Sequence, residues 1–231
     1  MLKAIIFDFN GVILDDEPLH FKAMQEAVAG FGITLTEEAY WDKYLPFDDN
    51  ECLEAICLDH AVRLSDEDRK RALQTKTASY QSRLENRFPL FPGVAPFIAS
   101  AAQRYPLALA SGASREEIEA TLKATGLNRH FLVVVAAEDF SLGKPHPESF
   151  LLALQKLNAA LARKSSSIMP DECLVIEDSI GGVAGARAAG MLCLAVSNSY
   201  PPEKLREANK VVGSLEEVPV ESLPALFDNP E

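Results

Sequence analysis

The stretch KAIIFDFNGVILDDEPLH, residues 3–20, decides the fold. Its opening run, KAIIFDF (3–9), is apolar up to Asp8, as in a strand buried on both faces. Asp8, Asn10 and Gly11 then set polar groups and a turn at the carboxyl end of that strand. Four further runs read the same way: YPLALA (105–110), HFLVVVA (130–136), ECLVIE (172–177) and MLCLAV (191–196). Each of these four follows an amphipathic, helical stretch. Continuous apolar strands alternating with helices predict an α/β fold, a Rossmann-like parallel sheet covered on both faces.

The alternation is clear from about residue 93 onward and fails between residues 17 and 86. That interval reads as helices only. One runs from about Pro18, a residue suited to a first turn, to Phe31. Thr36 with Glu37 and Glu38 opens a second, Asp48 or Asp49 a third, and Ser65-Asp66-Glu67-Asp68 a long fourth. The expected organisation is a core of residues 1–15 and 88–231, with a helical cap, residues 16–87, inserted after the first strand. Its hinges fall near 15–17 and 87–92. Residues 159–167 read as a helix end followed by a polar loop.

Composition narrows the function. The chain has 231 residues, 48% of them hydrophobic, enough for a sizeable core. Its net charge of −12 argues against non-specific nucleic-acid binding, which needs a basic face. A small anion is still admissible, because a few cations and backbone N–H groups can hold a phosphate. No apolar run reaches the ~20 residues of a membrane span, and the N-terminus lacks a signal-peptide cleavage pattern. Cys52, Cys57, Cys173 and Cys193 show no metal-type spacing and read as buried free thiols of a cytoplasmic protein.

In open α/β sheets, ligands bind beyond the carboxyl ends of the strands. The polar residues there are Asp8 and Asn10; Ser111, Gly112 and Ser114; Glu138, Asp139 and Lys144; and Glu177, Asp178 and Ser179. Asp8, Glu177 and Asp178 are hard oxygen donors suited to Mg²⁺. Mg²⁺ and Lys144 together could offset the charge of a phosphoryl group. Ser111 and the N–H groups of Gly112 and Ala113 could hold its oxygens, at the start of the helix near Ser114. An aspartate beside Mg²⁺ can act as a nucleophile.

With these residues in place, the sequence resembles the haloacid dehalogenase superfamily, in its β-phosphoglucomutase-like phosphatase branch. Four motifs carry the resemblance in order: FDFNGVILDDEPLH (7–20), ASG (110–112), GKPHPESF (143–150) and EDSIGGVAGARAAGM (177–191). With the cap, it covers essentially the whole chain. The resemblance implies an Mg²⁺-dependent phosphohydrolase acting on a small phosphate monoester through an aspartyl phosphate. Asp8 matches the nucleophile. Asp178 matches a metal ligand, with Glu177 beside it, and the backbone carbonyl of Asn10 matches a third. Ser111 and Lys144 match the phosphate-holding pair. His20 matches a position facing the cap hinge. The expected partner is a small phosphorylated metabolite, with no nucleic acid and no membrane, and the chain is expected as a monomer or weak dimer.

One departure qualifies the matches. The family pattern is Asp-x-Asp, and here it reads Asp8-Phe9-Asn10. The second aspartate normally protonates the leaving oxygen and later takes a proton from the attacking water. An amide is nearly isosteric and does neither. Three readings stay open. One is a slow or specialised phosphohydrolase, with Asp15 or Asp16 moving the proton or a leaving group that needs none. Another is an engineered Asp-to-Asn variant that traps an intermediate of an active phosphatase or phosphoglucomutase. The third is a non-catalytic pseudoenzyme that binds a phosphometabolite.

In this family the cap sets substrate choice, and the candidate stretch is WDKYLPFDD (41–49). Lys43 is its one cation and a candidate substrate contact, with Tyr44 beside it. Trp41 and Phe47 are expected on the buried face of the cap helices. Glu138 and Asp139 either orient Lys144 or form a structural charge pair. Gly182, Gly185 and Gly190 are expected to serve close helix–sheet packing.

Overall fold

The computed structural model describes residues 1–45, 47–84, 88–162 and 167–225. The chain divides into two compact units, Met1–Asp15 with Pro89–Glu231, and Asp16–Phe88.

The first unit is built on a six-stranded sheet. Its chain order opens with β1 (Ala4–Phe7) and resumes after the second unit with α5 (Val94–Ala101), β2 (Leu107–Ala110), α6 (Arg115–Thr125) and β3 (Phe131–Val135). There follow α7 (Glu148–Leu161), β4 (Cys173–Glu177), α8 (Ile180–Ala188), β5 (Leu192–Val196) and β6 (Lys210–Val212). The spatial order is β3-β2-β1-β4-β5-β6, every pair parallel. Chain order reverses direction across β1 and β4, the topological switch point where such sheets place their ligands. The five expected strands all form. The sixth, β6, escapes sequence reading because three residues give no periodicity to detect.

β1, β2 and β4 are buried along their whole length, which accounts for runs without alternation. One face of the sheet sets Ile6, Ala108, Val175 and Cys193 against Phe150, Leu154 and Leu157 of α7 and Val183 of α8. On the other face Phe7 meets Phe97 of α5 edge-on, with ring centroids 6.1 Å apart. A glycine on α8 lets α7 come close: at Gly185 an added Cβ would lie 3.3 Å from the Phe150 ring. All four cysteines are buried and free.

The second unit is helical: α1 (Glu17–Ala29), α2 (Glu37–Ala39), a π turn (Tyr40–Tyr44), α3 (Asp49–Asp59) and α4 (Asp66–Leu84). The expected starts are the observed ones. Thr36 accepts from the Ala39 amide at 3.2 Å. Asp48 forms a full capping box with Glu51, and Ser65 accepts from the Asp68 amide at 3.1 Å. Its core joins Phe21, Met24 and Val28 to Leu53, Ile56 and Ala72. Trp41 packs against that core. Phe47, expected on the buried face, is instead 44% exposed on the segment leading into α3. No helix among the described residues is long and apolar enough to cross a membrane. Of the stretch 159–167, the helix end is seen, α7 stopping at Leu161, and residues 163–166 of the expected loop lie outside the described residues.

Phe150 is fully buried where α7 meets the sheet. Its truncation to alanine is expected to cost about 3–5 kcal/mol, measured as a shift of the denaturant midpoint.

Candidate active site

The site forms at the carboxyl ends of β1 and β4. β1 ends at Phe7, so the next residue, Asp8, is the first past the ladder; its amide donates to the Ile176 carbonyl at 2.9 Å. β4 ends on Glu177, and Asp178 follows it. One carboxylate oxygen from each of Asp8, Glu177 and Asp178 lies within 4.8 Å of the others, and all three residues are buried. Lys144 arrives from the loop between β3 and α7. Its ammonium donates to Asp8 Oδ1 and to Glu177 Oε1, and it stands 5.0 Å over the Phe150 ring.

Electrostatics follow from this crowding. Burial pushes the Asp8 carboxyl up to about 6; the Lys144 ammonium opposes the rise and the Glu177 carboxylate adds to it. Burial also raises Asp178 well above the carboxylate range, helped by Glu177 and Asp8 and opposed by a hydrogen bond from Ser199. Burial alone would lower Lys144, but the attraction of Asp8 and Glu177 outweighs it and the ammonium is held charged. Three carboxylates against one lysine leave a pocket of excess negative charge, the setting a hard divalent cation neutralises.

Local backbone explains how such groups come so close. Gly11 has φ +79°, and a Cβ there would stand 2.0 Å from Asp178 Oδ2, so only glycine fits beneath that carboxylate. Gly182 makes the same room for Glu177, where a Cβ would fall 1.8 Å from Oε1. Glu177 Oε2 accepts from the amides of Asp178 and Ser179, each at 2.8 Å, and from the Ser179 hydroxyl at 2.9 Å. The Glu177 side chain is thereby fixed as an acceptor on one oxygen and a partner of Lys144 on the other.

Asp8, Lys144, Glu177 and Asp178 are therefore brought together. Ser111 lies one strand over, at the end of β2, which pairs β1 through Phe7 and Leu109. It is buried, and its hydroxyl accepts from the Ala113 amide at 3.1 Å. Gly112 is exposed beside it. Ser114 caps α6 by accepting from Glu117 at 3.3 Å, and both oxygens of Glu138 accept from the Arg115 amide at 3.1 Å. Asp139 pairs with Arg115 at 2.5 Å and with Lys156 at 3.1 Å. Glu138 and Asp139 thus tie down the start of α6, Glu138 through the Arg115 backbone amide and Asp139 through its ion pairs, while Lys144 is engaged by Asp8 and Glu177.

His20 and Lys43 belong to the helical unit. His20 Nε2 lies 3.2 Å from Asp16 Oδ2, and Lys76 Nζ lies 2.7 Å from His20 Nδ1. An ammonium can only donate, so Nδ1 accepts and the ring proton sits on Nε2, directed to Asp16. Asp16 also accepts from the Tyr80 hydroxyl at 2.7 Å, and Lys76 pairs with Asp49 at 2.7 Å. Lys43 pairs with Asp59 at 2.9 Å on the surface. Sequence reading passed over Lys76, a buried cation whose one sequence sign is its place one turn before Tyr80 on α4. It also passed over Asn198 and Ser199, although polar residues directly after the strand MLCLAV were a signal of the same kind as Ser111.

The family model of the haloacid dehalogenase-like hydrolases matches residues 2–190. A phosphorylated carbohydrates phosphatase from Thermotoga maritima is 30% identical over 190 residues, covering 82% of each chain. The β-phosphoglucomutase of Clostridium difficile superposes with a TM-score of 0.75 at 25% identity, over 99% of this chain and 98% of that one. CbbY from Rhodobacter sphaeroides, crystallised as an aspartate-to-asparagine variant with xylulose-1,5-bisphosphate, gives a TM-score of 0.73 at 26% identity, over 94% and 96%. With the sheet order, the carboxylate cluster and the matched motifs all in agreement, the chain belongs to the haloacid dehalogenase-like hydrolases, in their β-phosphoglucomutase-like phosphatase branch.

Proposed function

We propose that the protein hydrolyses a small phosphate monoester, of the sugar-phosphate kind, slowly, through an aspartyl phosphate on Asp8. The observation that carries this reading is the Lys144 ammonium held between Asp8 and Glu177 inside a buried three-carboxylate cluster. The donor set suits Mg²⁺, which Asp8, Asp178 and the Asn10 carbonyl would hold with Glu177 beside them; when bound, the ion would supply positive charge against the phosphoryl oxygens.

The chain's own residues then divide the work. An Asp8 carboxylate oxygen attacks phosphorus, and the bond from phosphorus to the leaving oxygen breaks. Lys144 and Ser111 hold the transferring group in line, with the Gly112 turn beside it. The leaving oxygen takes its proton from solvent or needs none, since the Asn10 amide cannot give one. Water then attacks the aspartyl phosphate, again without help from residue 10. Losing general acid–base help costs about 10²–10⁴-fold in rate. Asp16, one of the two residues that could have substituted, is engaged by Tyr80 and His20 within its own unit. The names of the relatives, one a phosphatase of phosphorylated carbohydrates and one crystallised with a sugar bisphosphate, support the substrate class. A phosphometabolite-binding protein without turnover is the second reading, and Asn10 is the observation that favours it.

Phosphate release from an aryl phosphate and a panel of sugar phosphates separates the two, comparing the protein with its Asn10→Asp variant. A rise of about 10²-fold or more is expected on restoring the carboxylate. Silence from both variants would overturn the catalytic reading and leave the binding one. Equal, substantial rates would show that another group moves the proton, with Asp15 the first to replace.

The metal has its own test. Asp8 and Asp178 bind protons more tightly folded than unfolded, so the metal-free fold loses stability as pH rises above the unfolded carboxylate range, for Asp8 between about pH 4 and 6. Cation binding requires both ionised. Added Mg²⁺ is therefore expected to raise the melting temperature more at about pH 7.5 than at about pH 5. A shift independent of pH would place the ion elsewhere.

A further inference from the structure

We propose that Ser199 and Asn198, on the segment after β5, are positioning residues that aim Asp178 at the metal and lock the turn beneath it. The inference rests on the function proposed above.

β5 pairs β4 in register, Ala195 opposite Glu177, so the residues after Val196 emerge at the same end of the sheet as Asp178. The Ser199 hydroxyl donates to Asp178 Oδ2. In the metal-holding state, with Asp178 ionised, the carboxylate only accepts, so the hydroxyl proton points at it. Holding one oxygen fixes the carboxylate plane and leaves the other for a ligand. One residue earlier, the Asn198 amide donates to the Gly11 carbonyl at 2.7 Å. Gly11 is the residue whose missing Cβ makes room for Asp178. A single short segment thus holds both the carboxylate and the backbone it rests on, joining the Asp8–Gly11 turn to the Glu177-Asp178 pair.

The segment is itself anchored. The Ser197 amide donates to the Val212 carbonyl at 2.9 Å, its hydroxyl to the same oxygen at 3.3 Å, and Tyr200 packs against the core. β6, although only three residues long, is what Ser197 is tied to. Groups that orient metal ligands in this way affect affinity without touching the ion.

The test is Mg²⁺ binding measured calorimetrically on the wild type and on Ser199→Ala, Ser199→Thr and Asn198→Ala, alongside metal-free melting temperatures. Ser199→Ala is expected to weaken Mg²⁺ binding about 10–100-fold, with the metal-free melting temperature within about 2 °C of wild type. Ser199→Thr, which keeps the hydroxyl, should restore most of the affinity. Asn198→Ala should weaken binding in the same direction, and it carries the test should Ser199→Ala fail to fold. Unchanged Mg²⁺ affinity in the alanine variants would overturn the positioning role while leaving the proposed function intact. A wild type that binds no Mg²⁺ would overturn both.

Discussion

Lys144 sits between two carboxylates that could not otherwise share a dry site. Asp8 and Glu177 come from adjacent parallel strands, β1 and β4, at the point where the sheet changes winding direction. Their separation is set by the ladder, not by their own attraction or repulsion. Like charges at that spacing would favour protonation or collapse of the pocket. One buried ammonium offsets much of this, and Asp178 still leaves negative charge in excess. That imbalance is what a bound cation would offset under the function proposed above.

Much of the surrounding structure serves this arrangement. The buried strands supply a rigid frame whose ends are fixed by hydrogen bonds running the length of the sheet. Gly11 and Gly182 remove the two side-chain atoms that would collide with Asp178 and Glu177. The amides of Asp178 and Ser179 satisfy the oxygen of Glu177 that faces away from Lys144. Phe150 links the two levels: it fills the core under α7, and its ring lies beneath the Lys144 ammonium. Packing and electrostatics are therefore coupled at that side chain.

Asn10 breaks a pattern that the rest of the site keeps. In the proposed function the frame, the lysine and the carboxylates serve phosphoryl transfer, and an amide stands where a proton-handling carboxylate would be expected. Shape is what folding and ligand binding sense; proton affinity is what turnover senses. A chain can therefore keep its site intact while its rate changes by orders of magnitude. In the helical unit a second polar network, through Asp16, His20, Lys76 and Asp49, fixes the tautomer of His20 by the same rule that an ammonium cannot accept.

The sequence by itself determined the five long strands, the starts of the cap helices and the carboxylates at the strand ends. Each of these is local: an unbroken apolar run, a capping residue, a polar residue just after a strand. The family motifs are local too, and Asp8, Lys144, Glu177 and Asp178 were all legible in them. Only the tertiary structure decided what meets what. Ser199 and Asn198 carry no periodic signal, and their partners lie 21 and 187 residues away. Lys76 gains its meaning from His20, 56 residues distant. Phe47 looked like core and is exposed, a matter of how the segment before α3 packs. Glu138 and Asp139 looked able to reach Lys144, yet Asp139 pairs with Arg115 and Lys156 and Glu138 accepts from the Arg115 backbone amide. Hydrogen-bond partners across the fold are set by strand register and helix packing, and neither is written in any one stretch of the chain.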